Sequence, residues 1–222
     1  MALQPIEGQP GLFRDTDTGQ VVNIRDFRES DKYDSVIIPP QEVITTGTEL
    51  LFFQNVQGKR ETDSNIKNPG KLSSGESMVL DRIGLYFRLA VGNSITSGRD
   101  IMKVVENSYY RLTINSILQD EGPSIKFPSG YGLYGNTTEN NTSIVSVGVP
   151  ATASASRLVK KQMLNQNHEL TGIIRFDARN GWTQSPNPAG FTAVVNVVQP
   201  TLDTALIITN YLHGLVRAAV TK

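Results

Sequence analysis

The stretch 78–91 sets the tightest limit on what this chain can fold into. Val79, Ile83, Leu85, Phe87, Leu89 and Val91 recur at every second position, with Arg82, Gly84, Tyr86 and Arg88 among the residues between them. A period of two puts the two sets on opposite sides of a pleated strand, so the segment predicts a β-strand with one buried face. Asp81 interrupts the apolar face near its start. A second alternation sets Tyr110, Leu112 and Ile114 against Arg111, Thr113 and Asn115.

A strand buried on one face needs a second layer, and the chain supplies further strands. Leu12-Phe13 and Val21-Val22 flank Asp15-Thr16-Asp17-Thr18-Gly19, which predicts a hairpin. Val36-Ile37-Ile38 runs into Pro39-Pro40, where a ladder must stop because proline cannot donate. Leu50-Leu51-Phe52-Phe53 is a dense apolar strand, and three more fall at 170–176, 191–198 and 205–219, with Gly214 marking a bulge or bend in the last. Two short helices are expected. One spans 100–106 with Asp100 as N-cap, and the other spans 156–164 with Leu158, Val159, Met163 and Leu164 as its face. Residues 57–77 and 122–150 are polar and rich in turn formers, and read as long exposed loops. No helix alternates regularly with the strands, which argues against a parallel α/β sheet. The fold class is all-β, an antiparallel β-sandwich with one or two short helices in its loops.

Composition narrows the function classes. Hydrophobic residues at 38% allow a packed core, and 222 residues suit one large β-domain. Lys+Arg 21 against Asp+Glu 21 gives no net charge, and residues 1–20 carry one Arg (Arg14) against Glu7, Asp15 and Asp17. Direct nucleic-acid binding, which draws on a basic surface, is therefore not expected. The absence of cysteine removes disulfides, thiolate nucleophiles and Cys-based metal sites together. The start Met-Ala-Leu-Gln-Pro has neither a basic region nor an apolar run, so a chain made in the cytoplasm is expected.

Several motifs invite a chemical reading and each has a plainer one. Gly130-Tyr131-Gly132-Leu133-Tyr134-Gly135 fits G-x-G-x-x-G, but Phe127-Pro128-Ser129 before it and the Asn/Thr run after it supply neither strand nor helix, so a loop is expected. Asp15 to Gly19 resembles half a calcium loop, but its glycine is one position early and Asp26 stands where a bidentate Glu belongs. His168 and His213 are isolated in sequence, which points to a strand-start residue and a packing or interface residue. Asn136, Asn140 and Asn141 each begin N-x-[ST] and read as turn residues. Lys160-Lys161 reads as a solvated helix face, and Trp182 as a loop residue that either packs over a sandwich edge or makes a contact. Neither catalytic, cofactor-binding nor metal-ligating residues are assigned, and no cofactor is expected.

The layout resembles the jelly-roll capsid proteins of tailless icosahedral viruses and phages. The resemblance rests on Ile44 to Phe53, on Met78 to Phe87, and on the closing run Leu206 to Arg217. It implies two four-stranded antiparallel sheets in a single jelly roll, a structural virion protein that assembles with copies of itself and other virion proteins. The chain departs from one common capsid pattern in lacking a basic N-terminal arm. That departure directs the inner face toward an internal membrane, a scaffold or another protein layer. On this reading residues 1–30 form an extended segment with a hairpin, residues 31–222 form the jelly roll, and the protein resides in the virion after synthesis in the host cytoplasm. A spike, fibre or decoration domain that binds a receptor or glycan is the alternative, with Trp182, Tyr131 and Tyr134 as stacking residues. A β-sandwich hydrolase would need converging carboxylates, for which Glu169 and Asp177 are the candidates.

Overall fold

The computed structural model describes residues 3–16, 19, 21–23, 26–39, 47–89, 101, 104–129, 155–177 and 205–217. Strands β1 (Leu3–Pro5), β2 (Leu12–Asp15) and β3 (Val21–Asn23) form a small antiparallel sheet, so the expected hairpin is present with a third strand added. The remaining strands are β4 (Arg28–Ile38), β5 (Glu49–Phe52), β6 (Ser77–Leu89), β7 (Ser108–Ile114), β8 (Ile117–Pro123), β9 (Ser156–Asn165), β10 (Leu170–Phe176) and β11 (Leu206–Arg217). They make two four-stranded antiparallel sheets, ordered β4-β11-β6-β9 and β5-β10-β7-β8. This is an antiparallel β-sandwich, as the period-two segments predict.

The core lies between the sheets. Leu206, Ile208, Leu212 and Val216 of β11 face Tyr110 and Leu112 of β7 and Ile174 and Phe176 of β10 within one buried cluster. The rings of Phe52, Tyr110 and Phe127 meet edge-on, with centroids 6.3 Å and 5.0 Å apart in turn. In β7 and β10 buried and more open residues alternate as expected.

In β6 the alternation changes phase at Asp81. Met78 and Leu80 belong to the core, and so do Ile83, Leu85 and Phe87. Opposite parities can share a face only where the strand carries an extra residue. The pairing slips at that point on both sides: Gly214 pairs with Leu80 and His213 with Arg82, while Gln162 pairs with Leu80 and Arg157 with Arg82. The expected core face is therefore corrected before the bulge, where Met78 and Leu80 replace Val79. A Cβ on Gly214 would sit 2.0 Å from the Val79 carbonyl oxygen, so the expected irregularity at Gly214 is where β6 swells against β11.

Residues 156–164 are strand, not helix. Lys, Gln, Met and Leu favour helix weakly, but the open edge of β6 offers them a ladder, and that tertiary partner overrides the propensity. The helix expected over 100–106 is found at 101 and 104–106, where Ile101, Val104 and Val105 are buried; Asp100 lies outside the described residues. Strand β8 had no clear signal, and β4 begins eight positions before the apolar run Val36-Ile37-Ile38 that announced it. The segment 191–198 lies outside the described residues.

The segment 57–77 is irregular, but it is not a free exposed loop. Val56, Ile66 and Leu72 are buried, and the segment is fastened to the outer edge of β4. Asn65 accepts from the Tyr33 N–H at 2.9 Å and donates to the Asp31 carbonyl at 2.7 Å. Lys59 Nζ lies 2.8 Å and 2.9 Å from the two oxygens of Asp34, a fully buried carboxylate that also accepts from the Phe53 N–H at 2.7 Å. Phe53 holds a φ of 71°, in the left-handed region that a bulky residue enters only when its surroundings compel it. The chain itself thus supplies the contacts that order this segment.

Candidate functional site

The outer face of the β4-β11-β6-β9 sheet carries a row of polar cross-strand pairs. The register of β4 with β11 sets Ser35 against Thr209, Tyr33 against Tyr211 and Asp31 against His213. The first pair shares a 2.8 Å hydrogen bond and the second brings ring centroids to 5.7 Å. His213 stacks on Tyr211 at 5.8 Å, and burial pushes the Tyr211 phenol upward, away from ionisation.

His213 joins three elements. Its Nδ1 lies 3.0 Å from Asp31 Oδ1 and its Nε2 lies 2.9 Å from the Ser129 carbonyl oxygen. A carbonyl only accepts, so Nε2 carries the proton of that bond. Residues 127–129 reach this position by running beside β6 where β9 ends, with the Leu85 N–H donating to the Phe127 carbonyl at 2.8 Å. Gly84 makes room for them, since a Cβ there would stand 2.6 Å from Ser129 Cα. With each ring nitrogen held against an oxygen, His213 fastens a chain segment to the sheet.

Beside this pin lies a surface pocket of about 540 Å³, lined by Glu29 and Asp31 on one flank and Asp81, Arg82 and Lys161 on the other. Asp81 gathers cations. Arg82 Nε is 3.4 Å from its Oδ2, and Arg157 Nε and Lys161 Nζ are each 3.6 Å from its Oδ1, a buried atom with no hydrogen bond. These separations give charge attraction without hydrogen bonding. The pocket is thus dipolar, acidic toward β4 and basic toward β9.

Sequence reading singled out His213 but not its partners, because Asp31 stands 182 residues away and only the register brings the two together. Asp81 was visible as a break in an apolar face. His168 lies in the turn before β10, where its Nδ1 accepts from the Asn165 N–H at 3.4 Å. Glu169 and Asp177 flank β10 at opposite ends, roughly 25 Å apart at the usual strand rise, so they do not converge. Lys160 and Lys161 are exposed on β9 rather than on a helix. Gly19 keeps a φ of 69° in the connection between β2 and β3. The run from Gly130 to Gly135, with Tyr131 and Tyr134, and Asn136, Asn140, Asn141 and Trp182 lie outside the described residues. Among the described residues no group of three His, Asp or Glu side chains is placed to hold a metal ion, and no helix is long and apolar enough to cross a membrane.

The chain matches no protein-family model, no curated protein and no solved structure.

Proposed function

We propose that this chain is a self-assembling shell subunit, a jelly-roll capsid protein of a virus or phage. The observation that carries the reading is the wiring of the sandwich. Among the described strands from β4 to β11, each is followed by one in the opposite sheet, save for the hairpin β7–β8. We read eight strands in two four-stranded sheets ordered this way as a double-sheet jelly roll, a fold used by viral capsid proteins and also by lectins and cupins. The step from fold to shell is an argument by analogy.

Features of the surface support the shell over its fold-mates. Two of the sheet edges, β4 and β8, are blunted against open-ended strand addition. Residues 64–65 cover β4. On β8, Asp120 caps the Glu121 N–H, Lys126 caps the Glu121 carbonyl and Gln119 caps the Ile117 carbonyl. Contacts between copies would then fall to rims and termini. Exposed Ile37 and Leu51 line one apolar cleft of about 390 Å³, and Ile117, Leu118 and Ile125 stand out beside β8. The absence of net charge keeps repulsion between many copies low. The fastened 57–77 segment does not contribute to this case, because its contacts are internal.

The test is a pair of rim substitutions, Ile117→Asp and Leu118→Asp, in one chain. Both side chains are exposed, so the fold is expected to persist by circular dichroism. Loss of higher oligomers in the doubly substituted protein supports rim-mediated assembly; unchanged oligomers would remove this rim from the account.

A further inference from the structure

Opposite the bulge in β6, strand β9 is thrown outward. Gln162 pairs with Leu80 and Arg157 with Arg82, so residues 158–161 stand opposite Asp81 alone. An ordinary bulge sets two residues against one; this one is larger and forms a projection. Leu158 anchors it in the core at 6% exposure, and Val159, the next residue, is 101% exposed, as open as in a free peptide. Asp81 draws in both feet of the projection, through Arg157 and Lys161, and Arg82 stands beside them. Lys160 is exposed at its crest. Among the described residues, four cations (Arg82, Arg157, Lys160, Lys161) gather about Asp81 beside this apolar apex, with Glu29 and Asp31 across the adjoining pocket.

We infer that this projection is a contact site for an anionic phospholipid surface. A lone exposed valine is ordinary on a protein surface. Here it is extruded by a built bulge and ringed by cations, on a chain that has no net charge to place. That arrangement matches a bilayer interface, where an apolar side chain enters the boundary below the headgroups while basic side chains meet the lipid phosphates and carboxylates. Nucleic-acid phosphates would satisfy the cations but leave Val159 with no partner. A single projection binds weakly, and an array of copies multiplies the attachment. The inference rests on the shell reading, and names the residues through which a shell would touch a membrane.

The experiment is co-sedimentation of the purified full chain, kept below its assembly concentration, with vesicles of phosphatidylserine or of phosphatidylcholine at low ionic strength. Lipid binding and oligomerisation are scored separately, so failure of one is distinguishable from failure of the other. The wild type is expected to sediment with phosphatidylserine and not with phosphatidylcholine. Lys160→Glu with Lys161→Glu should lower partitioning about tenfold or more, and Val159→Asp should lower it as well, while Lys126→Glu, remote on the β8 rim, leaves it unchanged. The inference is overturned if the wild type ignores phosphatidylserine, if the β9 variants bind as well as wild type, or if duplex DNA binds through the same residues at lower concentration than the vesicles.

Discussion

Asn210 on β11 and Tyr110 on β7 meet across the middle of the sandwich, the Asn210 amide donating to the Tyr110 phenol oxygen where neither residue reaches solvent. It is a polar tie within a core built mainly of apolar side chains. Asn210 Oδ1 has no hydrogen-bond partner, and burial drives the Tyr110 phenol far up from its ordinary ionisation range.

Tyr110→Phe removes the hydroxyl to which the Asn210 amide donates across the core, leaving that buried amide unpaired. We expect a loss of about 1–3 kcal/mol, read as a lower urea midpoint. Tyr110→Phe combined with Asn210→Leu should lose less than the two single changes summed, because no buried polar group is then stranded. Strict additivity would show that the two side chains do not depend on one another.

Gly214→Ala places a Cβ where the Val79 carbonyl oxygen already stands. Backbone cannot yield as a flexible side chain can, so a loss of about 3 kcal/mol is expected by chemical denaturation. A midpoint equal to that of wild type would mean that β11 and β6 are not as close at the bulge as described.

Asp34→Ala leaves the Phe53 N–H without its buried acceptor and the Lys59 ammonium without its counter-charge, held by the Ser35 carbonyl. The expected loss is about 3 kcal/mol, with faster amide exchange over residues 53–66 than over β7 or β10. Uniform exchange across the chain would contradict a local fastening.

Burial pushes the Glu76 carboxyl up, but hydrogen bonding and charge attraction from Lys32, with two bonds from Ser73, outweigh it and hold the group below its ordinary value of 4.5. A folded-state value below the unfolded one means that the stabilisation is present above about pH 4.5 and is lost as pH falls through the lower folded value. Glu76→Gln should therefore lower stability at neutral pH and flatten that part of the acid limb. An acid limb of unchanged slope would place the sensitivity in other carboxylates.

The parts of the fold legible in sequence are the strands whose one face meets the core. β7 and β10 declare themselves because burial alternates with apolar character, and β11 because it opens on an apolar run buried at nearly every position. Much of β4 does not, because two of its buried residues are Lys32 and Asp34, ion-paired beneath the 53–76 segment, and a charged run gives no hydrophobic period. β8 escapes notice as an edge strand with Ile117 and Leu118 exposed. β9 reads as a helix in the sequence because the projection at 158–161 breaks its period of two. Asp81 was legible as an interruption, but its consequence, a change of inward parity and a cluster of cations, depends on neighbours that only the sheet order supplies.

The central claim is that copies of this chain build a shell, and mass photometry with negative-stain imaging over a concentration series tests it most directly. The account predicts discrete oligomers such as pentamers or hexamers at low concentration, passing to sheets or closed shells as concentration rises. A monomer or compact trimer at every concentration would contradict it.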